Sequence, residues 1–236
     1  FYRYLGVPES KMIDVPYTVD NQFFQGTAHP IQSLPEKEGK EDGGLQSGDR
    51  QFVPTVLFCS KFIERKRPLD LLKAVQLLQN RGLLFRTVMA GSGPLHEELK
   101  DFVSRNGLKD VQFPGFINQS GLPALYQQSD VFVLPTENEP WGLILNEVMS
   151  AGLPVIVSEE VGAVPDLVEE GRTGLLFPAG DVAALATCIE HVLREVDCAK
   201  IMGRKAMARM ERWSIGESVK GILKLGQRSM PEGGGC

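Results

Sequence analysis

Val131-Phe132-Val133-Leu134-Pro135-Thr136-Glu137-Asn138-Glu139-Pro140-Trp141-Gly142-Leu143-Ile144-Leu145-Asn146-Glu147 is the stretch on which the reading of this sequence turns. Val131 to Leu134 is a continuous apolar run ended by Pro135, as expected of a short strand buried on both faces. A polar loop follows, and Leu143 to Ser150 reads as a helix. Gly152 and Pro154 close that helix, because glycine tolerates the left-handed cap and proline cannot continue a helix. Pro154 to Val157 is then a second short apolar run, so the segment is one strand–helix–strand unit.

The same rhythm extends in both directions. Strands are expected at Thr55 to Cys59, Phe85 to Ala90, Val111 to Phe113 and Gly174 to Phe177. Helices are expected near Leu69 to Gln79, Leu95 to Arg105, Leu122 to Gln127 and Val164 to Glu169, each where a right-handed crossover needs one. Asp181 can cap a helix over Val182 to Arg194, and two further helices fall at about Asp197 to Arg212 and Ile215 to Gln227. The predicted fold class is therefore α/β, a Rossmann-like parallel sheet with helices on both faces.

Outside that region the texture changes. Residues Gln25 to Arg50 are rich in Gly, Glu, Lys, Gln and Ser and carry too little apolar surface to offset the entropy of ordering, so they read as a flexible linker. Phe1 to Phe24 reads as the end of something larger: a helical scrap, a short strand Met12 to Val15 and a turn at Pro16. The expected organisation is a domain remnant over 1–24, a linker over 25–50, the main domain over 51–228 and a disordered tail over 229–236. On this reading the chain is a fragment.

Composition bounds the function. With 42% hydrophobic and 23% charged residues among 236, the chain can bury a good core. A formal charge of -5 argues against a nucleic-acid partner, which demands surplus Lys and Arg. Cys59, Cys188, Cys198 and Cys236 lack zinc-ligand spacing, and no apolar run approaches the ~20 residues that cross a bilayer. A reducing, cytoplasmic setting is expected, with peripheral contact at the cytoplasmic membrane face left open.

In an open parallel sheet, ligands bind beyond the carboxyl ends of the strands. Four loops there carry chemistry. The first, Ser60-Lys61-Phe62-Ile63-Glu64-Arg65-Lys66-Arg67-Pro68, places four cations where they can meet a diphosphate, each charge-assisted bond contributing roughly 1.5 to 3 kcal/mol. Taken alone, a solvated basic turn explains it better. The second, Gly91-Ser92-Gly93-Pro94, lets backbone approach a ligand, but His96 stands where a dinucleotide fingerprint needs its third glycine, and a tight turn without ligand fits equally well. The third, Pro114-Gly115-Phe116-Ile117-Asn118, could bond a base while Phe116 or Ile117 lines its plane; a plain turn explains it too.

The fourth loop leads from Pro135 into the helix that carries Glu147. Glu139 precedes that helix and Glu147 is expected in its second turn, so they bracket the helix N-terminus without sharing a face. The amides of Gly142, Leu143 and Ile144, with the helix dipole, favour an anion by roughly 0.3 to 2 kcal/mol. Carboxylates beside an anion make sense if they accept hydrogen bonds from neutral hydroxyls on either side, and a nucleotide diphosphate sugar has that pattern. Glu147 lies on an otherwise largely apolar helix and needs a partner.

Glu139-Pro140-Trp141-Gly142-Leu143 with Glu147 eight positions after Glu139 resembles the E-x7-E signature of the glycogen-synthase-like retaining glycosyltransferases (family 4, glycosyl transferases group 1), which have the GT-B fold. Gly162-Ala163-Val164-Pro165-Asp166-Leu167-Val168, Gly171-Arg172-Thr173-Gly174, Gly91-Ser92-Gly93-Pro94 and Ser129-Asp130-Val131-Phe132-Val133-Leu134-Pro135 resemble that family in the same order, over about Pro54 to Asp181. The resemblance implies the C-terminal, donor-binding half of a GT-B enzyme. It implies that Glu139 holds hydroxyls of the donor sugar, Glu147 the ribose and Ile117 the base. Lys61 and Lys66 would stabilise the departing diphosphate, and Gly142, Leu143 and Ile144 would face sugar and phosphate. Ser60, Gly91, Ser92, Pro140 and Trp141 complete the implied donor-binding set. The family usually has Gly-Arg where this chain has Ser60-Lys61, and Lys lacks the bidentate fork of Arg.

The function expected is transfer of a sugar from a nucleotide diphosphate sugar, such as a UDP- or GDP-sugar, to an acceptor hydroxyl, with retention. The acceptor, a sugar, a lipid-linked group or another, would be held mainly by an N-terminal domain missing from this chain. No metal and no cofactor are expected. The alternatives are a nucleotide-sugar-binding module inactive alone, and a related GT-B epimerase or phosphorylase.

Overall fold

The computed structural model describes Pro8, residues 12–25 and residues 53–229. Strands β1 (Thr55–Cys59), β2 (Arg86–Ala90), β3 (Val111–Gly115), β4 (Val131–Leu134), β5 (Val155–Ser158) and β6 (Gly174–Phe177) form one parallel sheet in the order β3-β2-β1-β4-β5-β6. The order reverses between β1 and β4, which opens a crevice at their carboxyl ends.

Alternation along each strand divides the core into two layers. Val56 and Phe58 of β1, Met89 of β2, Val131 and Val133 of β4 and Ile156 of β5 face helices α2 (Pro68–Asn80), α3 (His96–Arg105) and α7 (Val182–Arg194). Leu57, Val88, Phe132, Leu134, Val155 and Val157 face α1 (Asn21–Gln25), α4 (Leu122–Gln127), α5 (Ile144–Ser150) and α6 (Val164–Leu167). Helix α8 (Val196–Met210) spans both layers, with Ala199 and Met202 in the first and Ala206 and Met210 in the second. The expected fold class is the observed one.

The local stop signals act as read. Gly152 ends α5 at φ +81°, and Asp181 caps α7 by accepting from the Ala184 amide at 2.9 Å. Some boundaries move. Helix α6 ends at Leu167 rather than Glu169, because the Thr173 hydroxyl takes the Glu169 amide at 2.8 Å. The helix expected to reach Arg212 stops at Met210, and a single 3-10 turn, Glu211–Trp213, follows.

The expected strand Met12 to Val15 and the turn at Pro16 are not formed: residues 12–18 have no regular structure. Their partners come from helices instead of a strand. The Pro16 carbonyl accepts from the Ser218 hydroxyl of α9 (Ile215–Ser229) at 2.7 Å, the Tyr17 carbonyl accepts from the Asn146 side chain at 3.0 Å, and Val19 makes one parallel bridge to Ser214. Helix α1 was not expected. It takes in Gln25, read as linker, and is held by Phe24, 1% exposed, and by the Asn21 amide on the Met210 carbonyl at 2.7 Å. The helical scrap, the rest of the linker and the tail beyond 229 lie outside the described residues.

Candidate functional site

Backbone hydrogen bonds join the loops at the carboxyl ends of β1 to β5 into one surface. The Ser60 amide donates to the Ala90 carbonyl at 3.1 Å, Phe62 to Ser92 at 2.9 Å, and Gly91 to Gly115 at 2.8 Å. The Arg65 carbonyl accepts from both the Glu137 amide, at 2.9 Å, and the buried Thr136 hydroxyl, at 2.8 Å. Glu139 donates to Glu160 at 3.2 Å and accepts from Gly162 at 2.8 Å, which binds the β4 loop to the β5 loop. Three of the four loops singled out in the sequence are therefore one network with the loop after β5, and the third reaches it through Gly115.

The glycines at 91 and 93 have a structural cause. Their φ values are +142° and +155°, and a Cβ on Gly91 would lie 3.0 Å from the Ser60 carbonyl carbon. A Cβ on Gly93 would be 2.8 Å from that of Phe62. They let the β2 loop press against the β1 loop, which is a requirement independent of any ligand. Ser92 and Lys61 are exposed on this rim and Ser60 is half-buried.

Glu139 is the centre of the charge arrangement. Its Oε2 accepts from the Lys66 ammonium and, at 2.9 Å, from the Arg65 guanidinium. Burial pushes its carboxyl upward, but the hydrogen bond and charge of Lys66, then those of Arg65, outweigh burial and hold it below the usual carboxylate value. Arg67 is turned aside to Asp70, at 2.6 Å, and Glu137, at 2.7 Å. Of the four cations in the first loop, Lys66 and Arg65 thus share one carboxylate, Arg67 is spent on two, and Lys61 has no partner among the described residues.

Glu147 has the opposite environment. Helix α5 begins at Ile144, one residue later than expected, so Glu147 falls in the first turn rather than the second. Its Oε2 accepts from the Tyr126 hydroxyl at 2.7 Å, and no cation pairs with it among the described residues. Burial raises its carboxyl above the usual value, with the Tyr126 hydrogen bond opposing only in part. Cys59 at the end of β1 feels the same site: burial first, then the Glu147 charge, pushes its thiol up to about 12.

Between the two carboxylates, the amides of Gly142, Leu143 and Ile144 precede the first helical bonds, which run from Leu145 and Asn146 to the Gly142 and Leu143 carbonyls at 2.8 and 3.0 Å. The arrangement can accept hydroxyls at either end and an anion in the middle. Residues 46–209 match the sequence profile of the family described as Glycosyl transferases group 1.

The chain belongs to the group 1 glycosyltransferases. The chain is 34% identical over 172 residues to the sulfoquinovosyl transferase of Arabidopsis thaliana, covering 72% of this chain and 32% of the relative. It is 25% identical over 224 residues to the alpha-D-kanosaminyltransferase of Streptomyces kanamyceticus, covering 92% and 55%. The chain thus spans only about a third to a little over half of these curated relatives. The crystal structure of Anabaena HepE in complex with UDP and glucose matches 75% of this chain and 48% of its own at a TM-score of 0.67 and 23% identity. The sheet is accordingly the Rossmann-like half of a GT-B fold.

The remaining residues implied in donor binding are dispersed in role. Trp141 turns its indole away from the loop to lie between Tyr17 and Trp213, at ring distances of 5.3 and 5.5 Å, and donates to Asn146 at 3.1 Å. Pro140 and Leu143 are exposed, Gly142 is buried at φ +88°, and Ile144 and Ile117 pack on the second core layer. Phe116, not Ile117, is the exposed apolar side chain of the β3 loop, at 76%. Arg65 and Tyr126 were missed. The basic run at 65–67 contains Arg65, but nothing in it distinguishes the cation that reaches Glu139; Tyr126 lies inside the helix expected over Leu122 to Gln127 and is buried there. Among the described residues no group of three His, Cys, Asp or Glu could hold a metal ion, and no helix is long and apolar enough to cross a membrane.

The Glu147 environment predicts a trade between stability and binding. With its pKa above that of the unfolded chain, Glu147 takes up its proton in the native state first on acidification. It therefore costs stability at neutral pH, and the cost fades as pH falls through the raised value. Glu147→Gln is expected to raise the melting temperature at pH 7 by calorimetry and to flatten its rise on mild acidification. An unchanged or lower melting temperature at pH 7 would contradict the assignment of an uncompensated charge.

Proposed function

We propose that this chain is the donor-binding half of a retaining transferase that moves a sugar from a nucleotide diphosphate sugar to an acceptor hydroxyl. The observation that carries the reading is the pair of unlike carboxylates on one rim. Glu139 is kept ionised by two cations, and Glu147 is half-buried against a neutral hydroxyl, its other oxygen without a partner among the described residues. Hydroxyls of the donor sugar would take over Glu139, and the ribose would take the free oxygen of Glu147. The base would lie against the β3 loop, over Phe116 and Ile117.

Lys66 is the residue whose role changes on binding. In this structure it neutralises Glu139. When Glu139 turns to sugar hydroxyls, Lys66 is released toward the diphosphate together with Lys61 and the amides of Gly142 to Ile144. Fixed positive charge at the place where the leaving diphosphate develops its own charge lowers the barrier without a proton transfer. Arg65 stays on Glu139 and keeps it ionised. In this scheme the cations supply the electrostatic stabilisation, and no cofactor or metal is needed.

The acceptor would be supplied by a part of the enzyme beyond this chain, so the chain alone would bind donor without transferring sugar. A reducing, cytoplasmic setting belongs to the same reading. Thermal stabilisation by UDP, GDP and ADP tests the reading directly, since a ligand at 100 times its dissociation constant adds about 2.7 kcal/mol. Absence of stabilisation by all three would refute it. In the same assay Glu147→Ala is expected to weaken the preferred nucleotide about tenfold or more by titration calorimetry, the worth of one hydrogen bond to a charged group.

A further inference from the structure

We propose that Tyr126 is a positioning residue of the donor site, whose buried hydroxyl fixes Glu147 so that only its second oxygen is presented to the ribose. The proposal rests on the donor-site reading above and deepens it. Tyr126 is 0% exposed, and its ring lies 5.9 Å from that of Phe24, with Leu125 beside it in the same core layer. A ring clamped in this way has no freedom to follow a moving carboxylate. The carboxylate must instead come to the hydroxyl, which donates to Oε2 at 2.7 Å. Oε1 has no protein partner among the described residues and remains as the acceptor.

The elements around Glu147 leave the task to Tyr126 alone. From β1, Cys59 faces it as a neutral thiol. From α4, Tyr126 faces it as a neutral phenol, its own ionisation driven up first by burial and then by the Glu147 charge. Among the described residues no cation steadies the carboxylate, in contrast to Glu139 with its two. A buried tyrosine hydroxyl ordinarily finds some acceptor, so the burial alone says little. What separates positioning from packing is the acceptor it has found: the one carboxylate of α5, on the ligand-facing rim. Removing the hydroxyl frees Glu147 to rotate and raises its affinity for a proton, and both changes weaken only ligands that use the ribose hydroxyls.

The test compares UDP with 2′,3′-dideoxy-UDP by titration calorimetry on this chain, with GDP or ADP and their dideoxy forms substituted if wild type prefers them. Wild type is expected to bind the ribose form about tenfold tighter than the dideoxy form. Tyr126→Phe, which removes one oxygen and keeps the ring, is expected to weaken the ribose form threefold to tenfold and leave the dideoxy form unchanged. In a Glu147→Gln background the same substitution is expected to change neither, the signature of two residues acting as one. On lowering the pH from 7.5 to 5.5, the ribose preference is expected to fall further in Tyr126→Phe than in wild type; the ratio cancels the titration of the phosphates that both probes share. Equal weakening of both probes, or additive losses in the double variant, would reduce Tyr126 to a core residue and overturn the proposal. Failure of wild type to bind any of the three nucleotides, or to prefer ribose, would overturn the donor-site reading and the proposal with it. Because each ratio is internal to one folded sample, a loss of stability in Tyr126→Phe does not mask the answer.

Discussion

On the proposed function, Lys66→Ala is expected to lower the rate of sugar transfer about 100- to 1,000-fold, as loss of one preorganised charge at a developing anion does, while donor affinity falls less than about tenfold. The asymmetry follows from what Lys66 does before and after donor binding. Its side chain is only 13% exposed and that of Glu139 only 12%, so their ion pair is partly withdrawn from water and each compensates the other. Removing Lys66 leaves Glu139 with Arg65, whose side chain is 41% exposed and held at 2.9 Å. The donor therefore loses a phosphate contact but no longer has to displace Lys66 from Glu139, and the two effects offset each other in affinity. They do not offset in the transition state, where the departing diphosphate gains charge and the missing ammonium is felt in full. Steady-state kinetics with donor saturation measured separately by calorimetry distinguish the cases. Equal losses in turnover and affinity would mean that Lys66 serves ground-state binding only, and an unaltered rate would remove it from the chemistry.

Most of the sheet was legible because its strands are buried on both faces, so Val131 to Leu134 and Thr55 to Cys59 appear as uninterrupted apolar runs with no competing helical period. The helix ends at Gly152 and Asp181 were legible because their causes are local. Met12 to Val15 was misread for the opposite reason. An isolated apolar alternation looks like a strand, but the partner that decides its fate is Ser218, 202 residues from Pro16. The site divides in the same way. Glu139 and Glu147 stood out from their resemblance to the E-x7-E signature and, for Glu147, from the cost of a carboxylate on an apolar helix, and the second argument also required the partner that Tyr126 supplies. Which residue would answer was not legible, since 21 positions and a change of helix separate them. Nor was the pairing of Lys66 with Glu139 across 73 positions. A run of four cations shows that charge is available; only the folded loops show that Arg67 is consumed by Asp70 and Glu137 while Lys61 is not.

Gly162→Ala is expected to lower the melting temperature by about 2–12 °C and to weaken nucleotide binding more than tenfold in the protein that remains folded. The cause is the closeness of two loops rather than the conformational freedom of glycine. A methyl at 162 would collide with the Pro140 carbonyl, lying 2.8 Å from its carbon and 3.2 Å from the Glu139 oxygen. The collision involves backbone, so no side chain can rotate away to relieve it. Overpacking of this kind costs roughly 1–3 kcal/mol, sometimes more, and each kcal/mol shifts a domain of this size by about 2–4 °C. Relief requires the β4 loop to retreat from the β5 loop, which breaks the Gly162 to Glu139 and Ala163 to Trp141 hydrogen bonds, at 2.8 and 3.0 Å. Glu139 rides on that loop, so its carboxylate leaves Lys66 and Arg65 even though none of the three has been altered. Gly226→Ala is the matched control: the same methyl is added inside α9, where nothing lies within 4 Å. There the exchange is expected to leave binding unchanged and to raise stability slightly through helix propensity. Equal behaviour of the two variants would show that the β4 and β5 loops are not in the contact that places Glu139, and the donor site would then have to be built some other way.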